Sequence, residues 1–85
     1  MTTPEYRDVW ASDTTLLSFD GRILKVFGFS DTHRYHVAYR PTITVGHKMV
    51  TIKAENLGQH SFFFEQHRRA ELEEYARMLD QLIDL

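Results

Sequence analysis

The sequence predicts an α+β domain of about six short antiparallel strands, folded as a strongly bent sheet or a small barrel and capped by one C-terminal amphipathic helix. Three observations support this prediction. Apolar residues alternate with polar ones over short runs, an Asp-Gly pair separates two of those runs, and the apolar period changes to 3.6 near residue 68. A chain of 85 residues holds one hydrophobic core. We therefore predict an N-terminal arm over residues 1–13 and a single domain over residues 14–85.

The N-terminal segment is polar, and its only large apolar side chains are those of Tyr6, Val9 and Trp10. This composition predicts an arm rather than a core element. The single tryptophan of a small domain either packs onto the core or projects as an anchor for a partner. The sequence leaves both alternatives open for Trp10.

The clearest local signal is a hairpin over residues 15–27, with Asp20-Gly21 as a two-residue turn. Such a turn sets Leu17 opposite Leu24. One face of the hairpin then collects four apolar residues, and we predict that it is core: Leu17, Phe19, Leu24 and Val26. The other face is mixed, because it carries Leu16, Ser18, Ile23, Lys25 and Phe27.

Four further strands are predicted between residues 34 and 65. Pro41 cannot donate to a ladder, so residues 33–45 are interpreted as two short strands or one bent edge strand. In this stretch the tyrosine-containing face is predicted to be core: Tyr35, Val37 and Tyr39. The last two strands, residues 48–54 and 60–65, flank a loop, and the three phenylalanines at 62–64 need cover on both faces.

A helical apolar period begins at about Arg68 and predicts a helix of roughly 16 residues. Its apolar stripe holds Leu72, Tyr75, Ala76, Leu79, Leu82 and Ile83. Arg68 and Arg69 lie at the helix N-terminus, where the macrodipole disfavours cations. These arginines either pair with Glu71 or Glu73, or form an anion site with the free helix N–H groups.

Charge is segregated along the chain although the net charge is only −2. Residues 21–69 hold eight lysines and arginines against three acidic residues, and all five histidines, whereas both ends are acidic. Such a distribution bears on partners rather than on fold. Attraction between the two parts within one monomer is the simplest interpretation.

The basic middle segment favours a non-enzymatic interaction module that meets an acidic protein or another anionic ligand. The predicted binding face holds Arg34, His36, Arg40, Lys48, Lys53, Arg68 and Arg69. The main alternative is self-association as a homodimer, in which the acidic helix or a strand edge of one copy docks on another.

Single-stranded nucleic acid is a further alternative, because Arg34-Tyr35-His36 and Tyr39-Arg40 interleave cations with aromatic residues. Strand parity argues against it, since the tyrosines and the cations fall on opposite faces. The acidic ends and an isoelectric point near 6.2 also argue against nucleic-acid binding.

The sequence lacks the residue patterns of catalysis and of metal binding. There is no cysteine, no Gly-x-Ser-x-Gly elbow, no phosphate-binding glycine loop and no His-x-x-x-His pair, and on a strand His33 and His36 point to opposite faces. We therefore predict no enzymatic activity, no metal and no cofactor. The absence of cysteine and of an apolar N-terminal or spanning segment favours a cytoplasmic protein.

The order of elements resembles the pleckstrin-homology-like (PH-like) superfold, in particular the small bacterial PH-like domains. The resemblance covers roughly residues 14–84. It is most specific from Lys48-Met49-Val50-Thr51-Ile52-Lys53 through His60-Ser61-Phe62-Phe63-Phe64 to Arg69-Ala70-Glu71-Leu72-Glu73-Glu74, which looks like the last hairpin and capping helix of that family. The resemblance implies binding to phosphoinositide headgroups, peptides or other domains, and not catalysis.

Two departures from the PH-like pattern affect these expectations. Lipid-binding members carry several basic residues around a flexible first hairpin loop, whereas Asp20-Gly21 is followed only by Arg22 and Lys25. This argues against phosphoinositide recognition. A complete member has seven strands, so one strand is missing here, or is supplied by residues 5–11 or by a second copy.

Overall fold

The computed structural model describes residues 7–83, except for the side chain of Arg7. Residues 1–6 of the predicted arm, with Tyr6, lie outside the described residues. Within the described range the elements are β1 (Arg7–Ser12), β2 (Thr15–Phe19), β3 (Ile23–Phe27), β4 (Thr32–His36), β5 (Thr42–Val45), β6 (Met49–Ala54), β7 (Gly58–Phe63) and α1 (Arg69–Ile83). Short 3-10 turns at Val37–Tyr39 and Gln66–Arg68 precede β5 and α1.

The described strands form two antiparallel sheets. The first sheet has the order β1-β2-β3-β4, and the second has the order β5-β6-β7. The predicted α+β class with antiparallel strands and one C-terminal helix is confirmed. Two details differ: residues 7–83 contain seven strands rather than about six, and these strands form two separate sheets rather than a closed barrel.

Strand β1 lies in the segment that the sequence assigned to an arm. It pairs with β2 along most of its length. Val9 and Ala11 face the core and are buried, whereas Trp10 points to the opposite side and is 47% exposed. The segment is therefore an edge strand from residue 7 onwards, and of the two alternatives for Trp10, outward projection is the one found.

The central hairpin has the predicted core face but a different register. Leu17 lies opposite Val26 rather than Leu24, and Phe19 lies opposite Leu24. The cause is the turn: Asp20 Oδ1 accepts hydrogen bonds from the backbone N–H groups of Arg22 (2.9 Å) and Ile23 (2.8 Å), and this holds residues 20–23 in a wider loop. The register shift of two preserves side-chain parity, so all four predicted core residues are buried.

Replacing Asp20 by alanine is expected to cost about 1 kcal/mol of unfolding free energy, a low value for a charged acceptor because solvent screens this carboxylate. The N–H groups of Ile23 and Arg22 hold the pKa of Asp20 below its ordinary value of 3.8. Its stabilising effect is therefore complete above that value and is lost as the pH falls through the lowered pKa. Urea unfolding of wild type, Asp20→Ala and Asp20→Asn between neutral and acidic pH checks this. Asp20→Asn keeps an acceptor and should lose only the acid-dependent part; an unchanged acid response in Asp20→Asn would contradict the assignment.

Strand β4 ends earlier than predicted, at His36. His36 Nδ1 accepts a hydrogen bond of 3.0 Å from the backbone N–H of Ala38, and this begins the 3-10 turn at Val37–Tyr39. The turn interrupts the alternation, so Tyr35 is buried as predicted while Tyr39 is exposed, contrary to prediction. The predicted break at Pro41 is confirmed, because β5 begins at Thr42.

The second sheet has one apolar and one largely neutral face. The predicted inner residues of β6 are buried: Val50, Ile52 and Ala54. The three phenylalanines have different environments, because Phe64 is buried, Phe62 is half-buried against the core, and Phe63 is 70% exposed. Cover on both faces was predicted for this run, and Phe63 shows that the outer face is open.

Helix α1 packs against β5 of the second sheet and β1 of the first, so it contacts both sheets. Leu72, Tyr75, Ala76 and Leu79 are buried, and Ile83 packs at the margin of the core. Phe64 and Phe62 belong to the same apolar cluster. The helix therefore completes a single core shared by both sheets, as predicted, although Leu82 lies off the buried stripe and is exposed.

Candidate functional site

The outer face of the first sheet carries an exposed apolar row. Successive cross-strand pairs place Trp10 opposite Leu16 and Leu16 opposite Phe27. Trp10 and Phe27 are 47% and 38% exposed, and Leu16 is half-buried between them. Phe29 follows in the loop after β3 and is 88% exposed. Aromatic side chains in such number on an open surface are typical of a binding face rather than of bulk surface.

The next row lies directly beside the apolar row, two residues along each strand. It runs from Asp8 through Ser18 to Lys25 and Arg34, and only its β3–β4 end is basic. Lys25 on β3 lies opposite Arg34 on β4. The two side chains share the outer face, because their neighbours Leu24 and Tyr35 point into the core. Directly opposed like charges destabilise a sheet. Next along the strands, His36 lies opposite Ile23 and is exposed.

We call this surface the outer face of the first sheet and define it by the two rows. Its members are Asp8, Trp10, Leu16, Ser18, Lys25, Phe27 and Arg34, together with His36 from the next cross-strand pair. Two of the seven residues of the predicted binding face belong to it, namely Arg34 and His36. The sheet register brings the other members of the surface together from three strands, β1 to β3.

Three of the predicted binding residues lie elsewhere on the surface. Arg40 follows the 3-10 turn in a left-handed conformation, with φ of 49°, and borders a cleft lined by Pro41 and Asp80. Lys53 lies on the outer face of the second sheet, opposite Thr42 and Gln59. Lys48 is exposed in the turn before β6. These cations are not part of the Lys25–Arg34 row.

Arg68 is engaged in ion pairs at the start of the helix. Its Nε donates to Glu65 Oε1 at 2.7 Å, and its Nη2 donates to Asp13 Oδ1 at 3.2 Å. The link to Asp13 connects the 3-10 turn that precedes α1 to the turn between β1 and β2. Neither alternative drawn from the sequence describes the environment of Arg68, because its acidic partners are Glu65 and Asp13 rather than Glu71 or Glu73.

Arg69 connects the helix to the second sheet. Its Nη2 donates to the backbone carbonyls of Gly46 and His47, each at 2.8 Å. Its guanidinium carbon lies 5.0 Å from the centroid of the Phe64 ring. Backbone carbonyls and an aromatic face therefore satisfy this cation. Arg68 and Arg69 support the fold, and the predicted seven-residue face is not one continuous surface.

Sequence reasoning missed the aromatic half of the outer face. The sequence placed three of its residues on the mixed face of the hairpin: Leu16, Lys25 and Phe27. Apolar residues on a face that also carries a charge were the signal that could have indicated a binding surface. Trp10 was missed as a neighbour because β1 was not recognised as a strand. Lys25 and Arg34 could be set side by side only once the pairing of β3 with β4 was known.

Histidine and acidic side chains are not grouped as metal ligands anywhere in residues 7–83: the described part of the chain contains no cluster of three such groups that could hold a metal ion. His33 and His36 point to opposite faces of β4, as strand parity predicts, with His33 half-buried and His36 exposed.

Comparisons with known proteins do not place the chain in a family. No family model, no curated protein and no solved structure shows a significant match. Function therefore has to be inferred from the geometry of the described residues. In that part of the chain, none of the helical structure has the length and apolar character required to cross a membrane.

Proposed function

We propose that the chain is a non-enzymatic interaction module that binds an acidic protein segment across the outer face of its first sheet. The observation that carries this proposal is the exposed Trp10–Leu16–Phe27 row lying directly beside the Lys25–Arg34 pair. Tryptophan and arginine are the residues in which binding energy is most often concentrated. A segment that alternates acidic and large apolar side chains matches both rows at once.

The opposed cations favour a partner of negative charge. Lys25 and Arg34 repel each other in the free protein, and an acidic side chain placed between them relieves that repulsion. The interaction is partly exposed, so it contributes to specificity and association rate more than to affinity. The aromatic row supplies the apolar burial that the charges lack.

The architecture supports a PH-like assignment as part of this proposal. Seven described strands in a four-plus-three arrangement, followed by a C-terminal helix, equal the strand number of a complete PH-like domain. In that family the implied activity is binding.

Because β1 is a strand, the first hairpin loop of the chain is the one between β1 and β2. Asp13 and Thr14 in this loop supply no positive charge, so binding of a phosphoinositide is disfavoured. A cytoplasmic location fits a chain without cysteine.

A labelled peptide that alternates glutamate with leucine and phenylalanine is the probe for this proposal. We expect it to bind the wild-type chain, and its lysine-containing counterpart to bind much more weakly. Because Trp10 is the single tryptophan of the chain, its fluorescence should respond on binding. The double variant Lys25→Glu/Arg34→Glu should weaken binding about tenfold or more, measured by fluorescence anisotropy.

The matched control reverses two exposed cations outside this face, in Lys48→Glu/Lys53→Glu. It changes the net charge equally and should bind the peptide almost as well as wild type. Equal loss in both double variants would mean that only overall charge matters, and would overturn the proposed face. Trp10→Ala should weaken binding while circular dichroism stays unchanged.

A second copy of the chain is the competing partner. The observation that favours it is the exposed acidic side of α1, which bears Glu71, Glu73, Glu74 and Asp80. Sedimentation at low and high salt separates the two: a salt-sensitive dimer supports self-association, and a monomer in both removes it. Salt-dependent retardation of a single-stranded DNA probe would instead move the assignment to nucleic acid.

A further inference from the structure

A pair of stacked histidines joins the two sheets at one corner. The ring centroids of His33, on β4, and His60, on β7, lie 4.0 Å apart with the ring planes inclined by 29°. These strands are edges of different sheets, so side chains rather than a backbone ladder make this contact. Tyr35 and Phe62 flank the stack at centroid distances of 6.5 Å from His33 and 5.7 Å from His60.

We propose that the His33–His60 stack is a pH-sensitive clasp that holds β4 against β7 at neutral pH and releases β4 on acidification. Two neutral imidazoles stack favourably on each other. Two imidazolium ions at this distance repel, and the half-buried position of both rings limits screening by water. Histidine is the side chain whose charge ordinarily changes between pH 5 and 8.

The surroundings of the stack accommodate one positive charge better than two. Asp31 Oδ2 lies 3.1 Å from His33 Nε2 and places a negative charge beside the stack. Across the strands, the inner-face neighbours are apolar, with Val26 opposite His33 and Ile52 opposite His60. The nearest cations in the register belong to the outer faces: Lys25, Arg34 and Lys53.

The pKa of His60 is shifted downwards, which is the direction that this clasp requires. Burial lowers the pKa of His60 below its ordinary value of 6.5, the charge of His33 lowers it further, and Asp31 partly opposes both effects. Burial raises the pKa of Tyr35, so the phenol stays neutral throughout this range. The imidazole of His60 therefore binds a proton more readily in the unfolded chain than in the folded one. The free energy of unfolding consequently falls as the pH drops below 6.5, and this fall ends once the pH is below the lowered pKa of the folded state.

Release of β4 would also act on the outer face of the first sheet. Arg34 and His36 lie on the same strand as His33, so Arg34 separates from Lys25 where the released β4 also frays from its ladder with β3. Acidification would thereby weaken binding of the acidic peptide. This consequence rests on the proposed function, whereas the clasp itself does not.

Amide hydrogen exchange at about pH 7.5 and about pH 5.5, corrected for the intrinsic exchange rate, tests the clasp. We expect protection of β4 and β7 to fall by about fivefold or more on acidification, relative to the central strands β2 and β6. His60→Phe keeps a ring but cannot titrate, and should hold protection within about twofold across the two pH values. The matched control His67→Phe, at an exposed histidine, should respond as wild type does.

A variant without the stack makes the test independent of how well His60→Phe folds. In His33→Gln, the pKa of His60 followed by imidazole NMR should rise, because the neighbouring charge is gone. An unchanged His60 pKa in that variant, or equal loss of protection in wild type and His60→Phe, would overturn the clasp. Failure of the peptide to bind at neutral pH would overturn the proposed function but leave the exchange result intact.

Discussion

Leu79→Ala is expected to destabilise the domain by about 2–5 kcal/mol, which is a large part of the total stability of a domain of this size. Leu79 is fully buried where α1 covers the core shared by the two sheets. Removing its isobutyl group leaves a cavity, because the sheets are fixed by their ladders and cannot collapse onto the shortened side chain. Urea denaturation followed by far-ultraviolet circular dichroism measures the effect.

The matched control is Leu82→Ala, one turn further along the same helix. Leu82 is 42% exposed, so its truncation should change the unfolding free energy by only about 0.5 kcal/mol. Helix propensity changes equally in the two variants. Equal effects of the two substitutions would contradict the buried stripe and with it the closure of the core by α1.

Arg69→Ala has the second largest expected effect, a loss of about 2–3 kcal/mol. The substitution leaves the carbonyls of Gly46 and His47 without this donor and removes the cation from the face of Phe64. These contacts hold the β5–β6 turn against the start of the helix. Thermal unfolding and urea unfolding should both show the loss.

Two companion variants isolate the cause of that loss. Arg77→Ala removes an exposed arginine from the same helix and should cost less than about 0.5 kcal/mol. Arg69→Lys keeps the charge but lacks the planar group that reaches both carbonyls while lying over a ring, so an intermediate loss is expected. If Arg69→Lys has the same free energy of unfolding as wild type, the positive charge alone is sufficient for the stabilisation, and the hydrogen bonds to the two carbonyls contribute little.

Much of the core could be predicted from residue spacing, because parity survives errors of register. The hairpin register differs from the prediction by two residues, yet Leu17 and Leu24 remain on the inner face. The change of period near residue 68 likewise placed Leu72 and Leu79 on the buried stripe of α1. Parity and period are local properties of the chain, so the sequence alone reveals them.

The remaining features depend on hydrogen bonds that composition does not reveal. The Asp20 carboxylate widened the turn, and the His36 ring ended β4 and left Tyr39 exposed. Strand β1 was missed because it has only two buried apolar side chains, Val9 and Ala11, which gave too short an alternation to recognise.

The candidate site was only partly predictable for a related reason. Its cations could be named from the sequence, but which of them share a surface depends on pairing between strands. Arg34 and Lys25 become neighbours through the β3–β4 ladder, whereas Arg69 is drawn to carbonyls 22 and 23 residues earlier. A charge count along the chain could not separate a cation that supports the fold from one that is available to a partner.

Chemical-shift mapping of the glutamate-containing peptide on the isotope-labelled chain tests the central proposal most directly. We expect the largest changes at the Trp10 indole N–H and at backbone amides of β1 to β4, with little change in β5, β6 and β7. Perturbation centred on the second sheet or on α1, or no perturbation at peptide concentrations near the solubility limit, would contradict a docking function for this face.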